Sequence, residues 1–164
     1  MADHVALSTA DRLALHELAN RYGNAVDARD WVALATVFAP NARFVIGADE
    51  PSPVEHIGID AIVEMMRVGR HPVTHHVTNV VVDVDADADA DVVRLFFKVL
   101  GTGPRGRVGS ADYHDTVERW SDGWRIREHL VTFRRAEIAP AGSDQLASTE
   151  TSENSSRKGR RPNA

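Results

Sequence analysis

The hydrophobic period changes once along this chain, at His71-Pro72, and that change limits the folds open to it. Before it, apolar residues recur at helical spacing. Leu15, Leu18, Ala19, Tyr22 and Val26 form one stripe behind a Ser8 or Thr9 cap, and Trp31, Leu34, Ala35 and Phe38 form a second that Pro40 stops. Residues 42–46 read as a short strand and 47–58, with Pro51 and Pro53, as a loop. Asp60 is placed to cap a third helix carrying Ile62, Val63 and Met66. After it, residues 73–84, 92–100, 108–120 and 124–134 are rich in β-branched and aromatic side chains, and the segments 85–91, 101–106 and 121–123 have turn composition. Helices followed by an antiparallel meander predict an α+β domain. Its N-terminal helices pack on one face of a curved, mainly antiparallel sheet, which forms a cone with a pocket at its open end.

The 164 residues suffice for one domain, expected over 1–139. From residue 140 the chain turns to Ser, Thr, Gly, Asn and charge, too little apolar content to offset ordering entropy, so 140–164 is expected to be a disordered polar tail. A net charge of −5 with mixed signs argues against a nucleic-acid or anionic-membrane surface. No apolar run reaches the roughly 20 residues that span a bilayer, and the first residues lack the basic and apolar regions of a signal peptide. Without cysteine there is neither a disulfide framework nor a thiolate zinc site, in keeping with a cytoplasmic protein. The alternating Asp83, Asp85, Asp87, Asp89 and Asp91 lack the glycine and distal glutamate of a calcium loop. His71, His75, His76 and His114 offer no His-x3-His pair with a supporting third ligand, so no metal is expected.

Two aspartates near the end of the first helix differ in kind. Asp30 directly precedes the second helix and can cap it. Asp27 lies in the last turn of the first, where the negative end of the helix dipole costs an anion about 0.3–1 kcal/mol. At about 100° per residue it falls at the margin of the apolar stripe, so it reaches a cavity beneath the helix only if the helix ends or bends there. A residue that breaks a local rule is a candidate for function.

The motifs Arg21-Tyr22, Ala25-Val26-Asp27, Asp30-Trp31, Leu34, Phe38-Ala39 and Asn41-Ala42, with His75-His-Val-Thr-Asn79, Asp112-Tyr-His-Asp115 and Asp122-Gly-Trp-Arg125, resemble the SnoaL-like branch of the nuclear transport factor 2 superfamily. The resemblance runs from about Leu7 to Arg135. It implies a cone-shaped α+β barrel, a homodimer or homotrimer, and an apolar pocket for a small ligand. In the family's bile acid dehydratases a tyrosine, an aspartate five residues on and a histidine opening a later strand do the chemistry. Tyr22, Asp27 and His75 fall at those places. Scytalone dehydratases have a pocket aspartate matching Asp27 and a histidine matching His75. Their second histidine falls near Thr102 here, and a further aspartate of the bile acid enzymes falls near Val99. His114 is placed to supply an imidazole from another strand.

Loss of water next to a carbonyl or phenol needs a base for a C–H proton and an acid for the departing hydroxyl. A histidine paired with a carboxylate can serve as both, and a phenol can donate to the substrate oxygen, with no cofactor. The sequence thus predicts a lyase or isomerase acting on a polyketide-, steroid- or terpenoid-like ring compound, with Tyr22, Asp27 and His75 catalytic. His114, Asp112, Phe44 and Phe97 are expected to bind substrate. A noncatalytic subunit, like the β chains of ring-hydroxylating dioxygenases, is the alternative. A cavity filled by Phe44, Phe96 and Phe97 would favour it.

Overall fold

The computed structural model describes residues 7–83 and 92–134; the acidic run beyond Asp83 and the polar segment 140–164 lie outside the described residues. Helix α1, Thr9–Ala28, opens with a capping box in which Ser8 and Asp11 satisfy each other's backbone N–H. Asp11 also pairs with Arg119 at 2.8 Å and accepts from the Trp124 indole at 3.2 Å, which fastens the helix start to the far end of the sheet. Its buried face is Leu15, Leu18, Ala19, Tyr22, Gly23, Ala25 and Val26. The helix is continuous through Gly23. It runs on to Ala28 and stops at Arg29, whose φ of 54° is left-handed. Each fully buried leucine contributes about 1.5–3 kcal/mol, several times what Asp27 costs at the negative end of the helix.

Asp30 caps α2, Trp31–Val37, by accepting from Ala33 N–H at 2.9 Å. Phe38 belongs to strand β1, Phe38–Ile46, and not to the helix. The chain must leave helical geometry ahead of Pro40, and the strand register breaks between Phe38 and Arg43. Part of the expected loop is strand β2, Val54–Ile57, an exposed edge without an apolar face to announce it. Helix α3, Ile59–Val68, is capped by Gly58 at φ 85°, while Asp60 sits in its first turn.

Strands β3, Thr74–Asp83, β4, Val92–Thr102, β5, Val108–Trp120, and β6, Gly123–Arg134, form the predicted meander, with a short 3₁₀ turn at Pro104–Gly106. The sheet order is β2-β1-β6-β5-β4-β3. β1 joins β6 in parallel and all other pairs are antiparallel. The sheet is therefore mixed and stays open, with β2 and β3 as edges, so the expected cone is not a closed barrel. The helices pack against it over one core that includes Leu34, Phe38, Ile62, Leu95, Phe97 and Ile126. No helix of the described residues is long and apolar enough to cross a membrane.

On the opposite face, Asp112 of β5 locks three strands together. It accepts from Lys98 of β4 at 2.7 Å and from Arg134 Nε of β6 at 2.6 Å. Arg134 first, and Lys98 less strongly, hold its carboxyl below the usual carboxylate range. A depressed pKa contributes stability above the unfolded value of about 3.9 that is lost as pH falls through the folded value. Since Lys98 and Arg134 are partly exposed, the contribution is discounted to about 1 kcal/mol. Asp112→Asn should lower unfolding free energy by about 1 kcal/mol at pH 7 in urea titrations, and the gap from wild type should close as the solution is acidified.

Candidate active site

α1 crosses β3 closely because Gly23 has no side chain. A Cβ there would lie 3.3 Å from Val77 Cγ2 and 3.4 Å from the His75 carbonyl oxygen. One turn later Asp27 reaches the strand with both oxygens. Oδ2 accepts the His75 backbone N–H at 2.9 Å, and Oδ1 lies 2.6 Å from His75 Nδ1. The His75 side chain is 5% exposed and that of Asp27 24%. A carboxylate on Nδ1 favours the tautomer with its proton there, which leaves Nε2 with a lone pair as the free nitrogen.

His75 lines an open cavity of about 690 Å³ between the sheet, α3 and the turns that precede β3 and follow β4. Its walls are mostly apolar, with Tyr22, Phe44, Ile46, Met66, Val99 and Val131 among them. Tyr22 is fully buried, its ring 6.4 Å from His75 and 5.8 Å from Tyr113, which also lines the cavity. Burial, and then the neighbouring Tyr113 phenol, push the Tyr22 hydroxyl well above its ordinary range. Burial likewise raises Tyr113, to about 12, against an opposing contact with Tyr22. Both phenols stay protonated near neutral pH and can donate hydrogen bonds, but neither can act as the base.

The sequence-derived substrate contacts divide. Phe44 is on the cavity wall. Phe97 is buried one layer behind, stacked on Tyr113 at 5.1 Å. Asp112 and His114 do not face the cavity. Alternation along β5 turns Tyr113 inward and both of its neighbours outward, Asp112 to Lys98 and Arg134, and His114 against the Phe96 ring at 4.9 Å. The apolar set Ala111, Tyr113 and Val117 marks the inward face better than the polar Asp112 and His114 do. His76 turns from the cavity, its Nε2 3.1 Å from Thr74 Oγ1, and His71 Nε2 donates to the Met66 carbonyl at 2.5 Å.

A second acid–imidazole pair was not foreseen. Asp115 of β5 and His129 of β6 are wholly buried, with Oδ1 and Nδ1 2.7 Å apart. The contact is poorly directed, and none of their four polar atoms makes a well-formed hydrogen bond among the described residues. The His129 ring is packed among Tyr22, Phe44 and Tyr113 at 4.8, 4.5 and 4.9 Å. Burial raises the Asp115 carboxyl, and the nearby His129 pulls less strongly the other way. Strict alternation from Trp124 and Ile126 would have put Glu128 inside. Instead Val117 pairs with Ile126 and Thr116 with Glu128, so Arg127 is an extra residue and His129 turns inward.

Comparison with known proteins identifies the family and the fold. A family model described as a SnoaL-like domain matches residues 8–129. No curated protein matches the sequence. Among solved structures, a candidate aromatic ring hydroxylase from Novosphingobium aromaticivorans is 26% identical over 79% of this chain and 93% of its own, with a TM-score of 0.63. The hexachlorocyclohexane dehydrochlorinase LinA-type3 from Novosphingobium barchaimii is 20% identical over 77% and 88%, at 0.61. A candidate scytalone dehydratase from Novosphingobium aromaticivorans is 17% identical over 77% and 85%, at 0.61. The last two likenesses concern the fold, which carries many activities. With three helices on an open six-stranded sheet and a family model spanning most of its length, the chain belongs to the SnoaL-like domain family, with the NTF2-like fold.

Proposed function

We propose that the protein is a cofactor-independent lyase or isomerase acting on a small apolar ring compound. His75 is its acid and base, Asp27 the positioning partner of His75, and Tyr22 and Tyr113 its oxygen-binding donors. The observation that carries this reading is the 2.6 Å contact between His75 Nδ1 and Asp27 Oδ1 on the wall of an open apolar cavity. A filled cavity would have favoured a noncatalytic subunit. Phe97 lies behind the wall and Phe96 packs on His114 instead. The names of two structural neighbours, a dehydrochlorinase and a candidate dehydratase, agree with elimination chemistry.

In a dehydration, neutral His75 Nε2 takes the proton from the carbon beside a carbonyl. The C–H electron pair moves into the ring, and a buried phenol donates to the oxygen as it gains charge. Asp27 stabilises the imidazolium. The electron pair returns to form C=C as the C–O bond breaks, and Nε2 gives its proton to the leaving hydroxyl. Water departs and His75 is neutral again. In an isomerisation the same proton goes to another ring carbon.

A panel of hydroxylated ring ketones, followed by absorbance of the conjugated product, tests the reading. His75→Ala should lower kcat/KM by about 10²- to 10⁴-fold, while the backbone tie to Asp27 remains. Asp27→Asn should cost about 10²-fold or more, because an amide can hold the wrong tautomer. Turnover that ignores both changes would sink the proposal. Tyr22 and Tyr113 are the chain's two tyrosines, so an alkaline absorbance titration reads them alone. The folded protein should show no phenolate near the ordinary tyrosine value of about 10, with Tyr113 ionising near about 12. Phenolate appearing at the ordinary value would remove the buried donors from the mechanism.

A further inference from the structure

The cavity mouth is electrically one-sided. Two turns meet there: Pro72 packs on Gly101, where a Cβ would lie only 2.6 Å from Pro72 Cγ, and Val73 N–H donates to the Thr102 carbonyl at 2.6 Å. Their backbones are held. Gly69 N–H donates to Met65 O at 2.9 Å at the end of α3, and Gly103 N–H donates to Arg107 O at 2.6 Å across the 3₁₀ turn. Each held turn contributes one exposed arginine to the lining, Arg70 from the first and Arg107 from the second. Neither guanidinium has an ion-pair partner among the described residues, whereas Arg134, also on the lining, is engaged by Asp112. Among the described residues no aspartate or glutamate lines the cavity, although acids are as common as bases along the chain. A surface of that composition would on average place acids there too.

We propose that the ligand is a ring acid, an apolar ring body carrying one oxyanion group, with the body in the cavity and the oxyanion held at the mouth by Arg70 and Arg107. This deepens the reading above and rests on the cavity being the substrate site. Guanidinium groups suit the role because their planar donor forks match an oxyanion in paired hydrogen bonds. The apolar wall supplies affinity for the ring, and the charge at the mouth fixes which end enters last. Ring acids should therefore be chosen over neutral rings of the same shape, and the preference should weaken with salt.

Two fluorescent probes of nearly the same shape test this, anilinonaphthalene sulfonate and the uncharged phenylnaphthylamine. Wild-type protein should bind the sulfonate about tenfold more tightly, and each dye should displace the other. In the double variant Arg70→Gln with Arg107→Gln the two affinities should converge to within about twofold, with that of the neutral dye unchanged, which also reports an intact cavity. A charge-matched control, Arg12→Gln with Arg94→Gln, removes two exposed arginines away from the cavity and should keep the preference. Equal affinities in wild type, failure of the dyes to compete, or equal loss in both double variants would overturn the proposal. Dye binding does not require turnover. A sulfonate preference that vanishes with Arg70 and Arg107, in a protein whose ring-ketone turnover ignores His75→Ala, would keep the acid site and discard the lyase reading. Turnover that depends on His75 with no sulfonate preference would do the reverse.

Discussion

Asp27 uses one carboxylate for two jobs, and the rest of the site depends on it. One oxygen holds the backbone of β3 and the other holds the imidazole of the same residue, so strand position and ring orientation are set together. β3 is an edge strand with a neighbour on one side only. Its other support is α1, which approaches closely because Gly23 leaves room. A short polar clamp at the helix end therefore supplies what a second neighbouring strand would have supplied elsewhere. The dipole penalty of about 0.3–1 kcal/mol for an anion at that end is small against a charge-assisted hydrogen bond, worth about 1.5–3 kcal/mol.

Behind the cavity the energetics reverse. Asp115 and His129 are removed from water without the well-formed hydrogen bonds that normally offset desolvation. A better-packed apolar pair would be expected to stabilise the core more. What the pair does provide is a field. Asp115 lies close enough to Tyr22 and Tyr113 to add to the upward shift of both phenols. Keeping two cavity phenols protonated is useful to a site that must stabilise a developing oxyanion, and neutral to stability.

The helical stripe of α1, the caps at Ser8 and Asp30 and the meander were legible because they rest on local rules of period and capping. Tyr22, Asp27 and His75 were legible together only through family resemblance, since residues 27 and 75 meet through tertiary packing. The misreadings have physical causes. Polar identity was given more weight than alternation at Asp112 and His114, and the apolar residues beside them mark the inward face. His129 was hidden by the extra residue at Arg127, a break in strand parity that no single-strand pattern carries. β2 and the parallel partner of β1 were invisible for another reason: an exposed edge has no burial pattern, and pairing direction is not written in either strand alone.

The parallel seam between β1 and β6 bears on how the chain reaches this state. Arg43 and Glu128 meet across 85 positions of sequence, and β6 is the last strand among the described residues. β1 therefore cannot complete its hydrogen bonding until the meander exists, and closing so long a loop is slow compared with forming hairpins. During synthesis the helical half emerges first with Phe44, Ile46 and the face of α1 uncovered. The cavity that the finished protein offers to a ligand is, for that interval, an unfinished core. A ligand for the cavity would find its full binding surface only after β6 has docked.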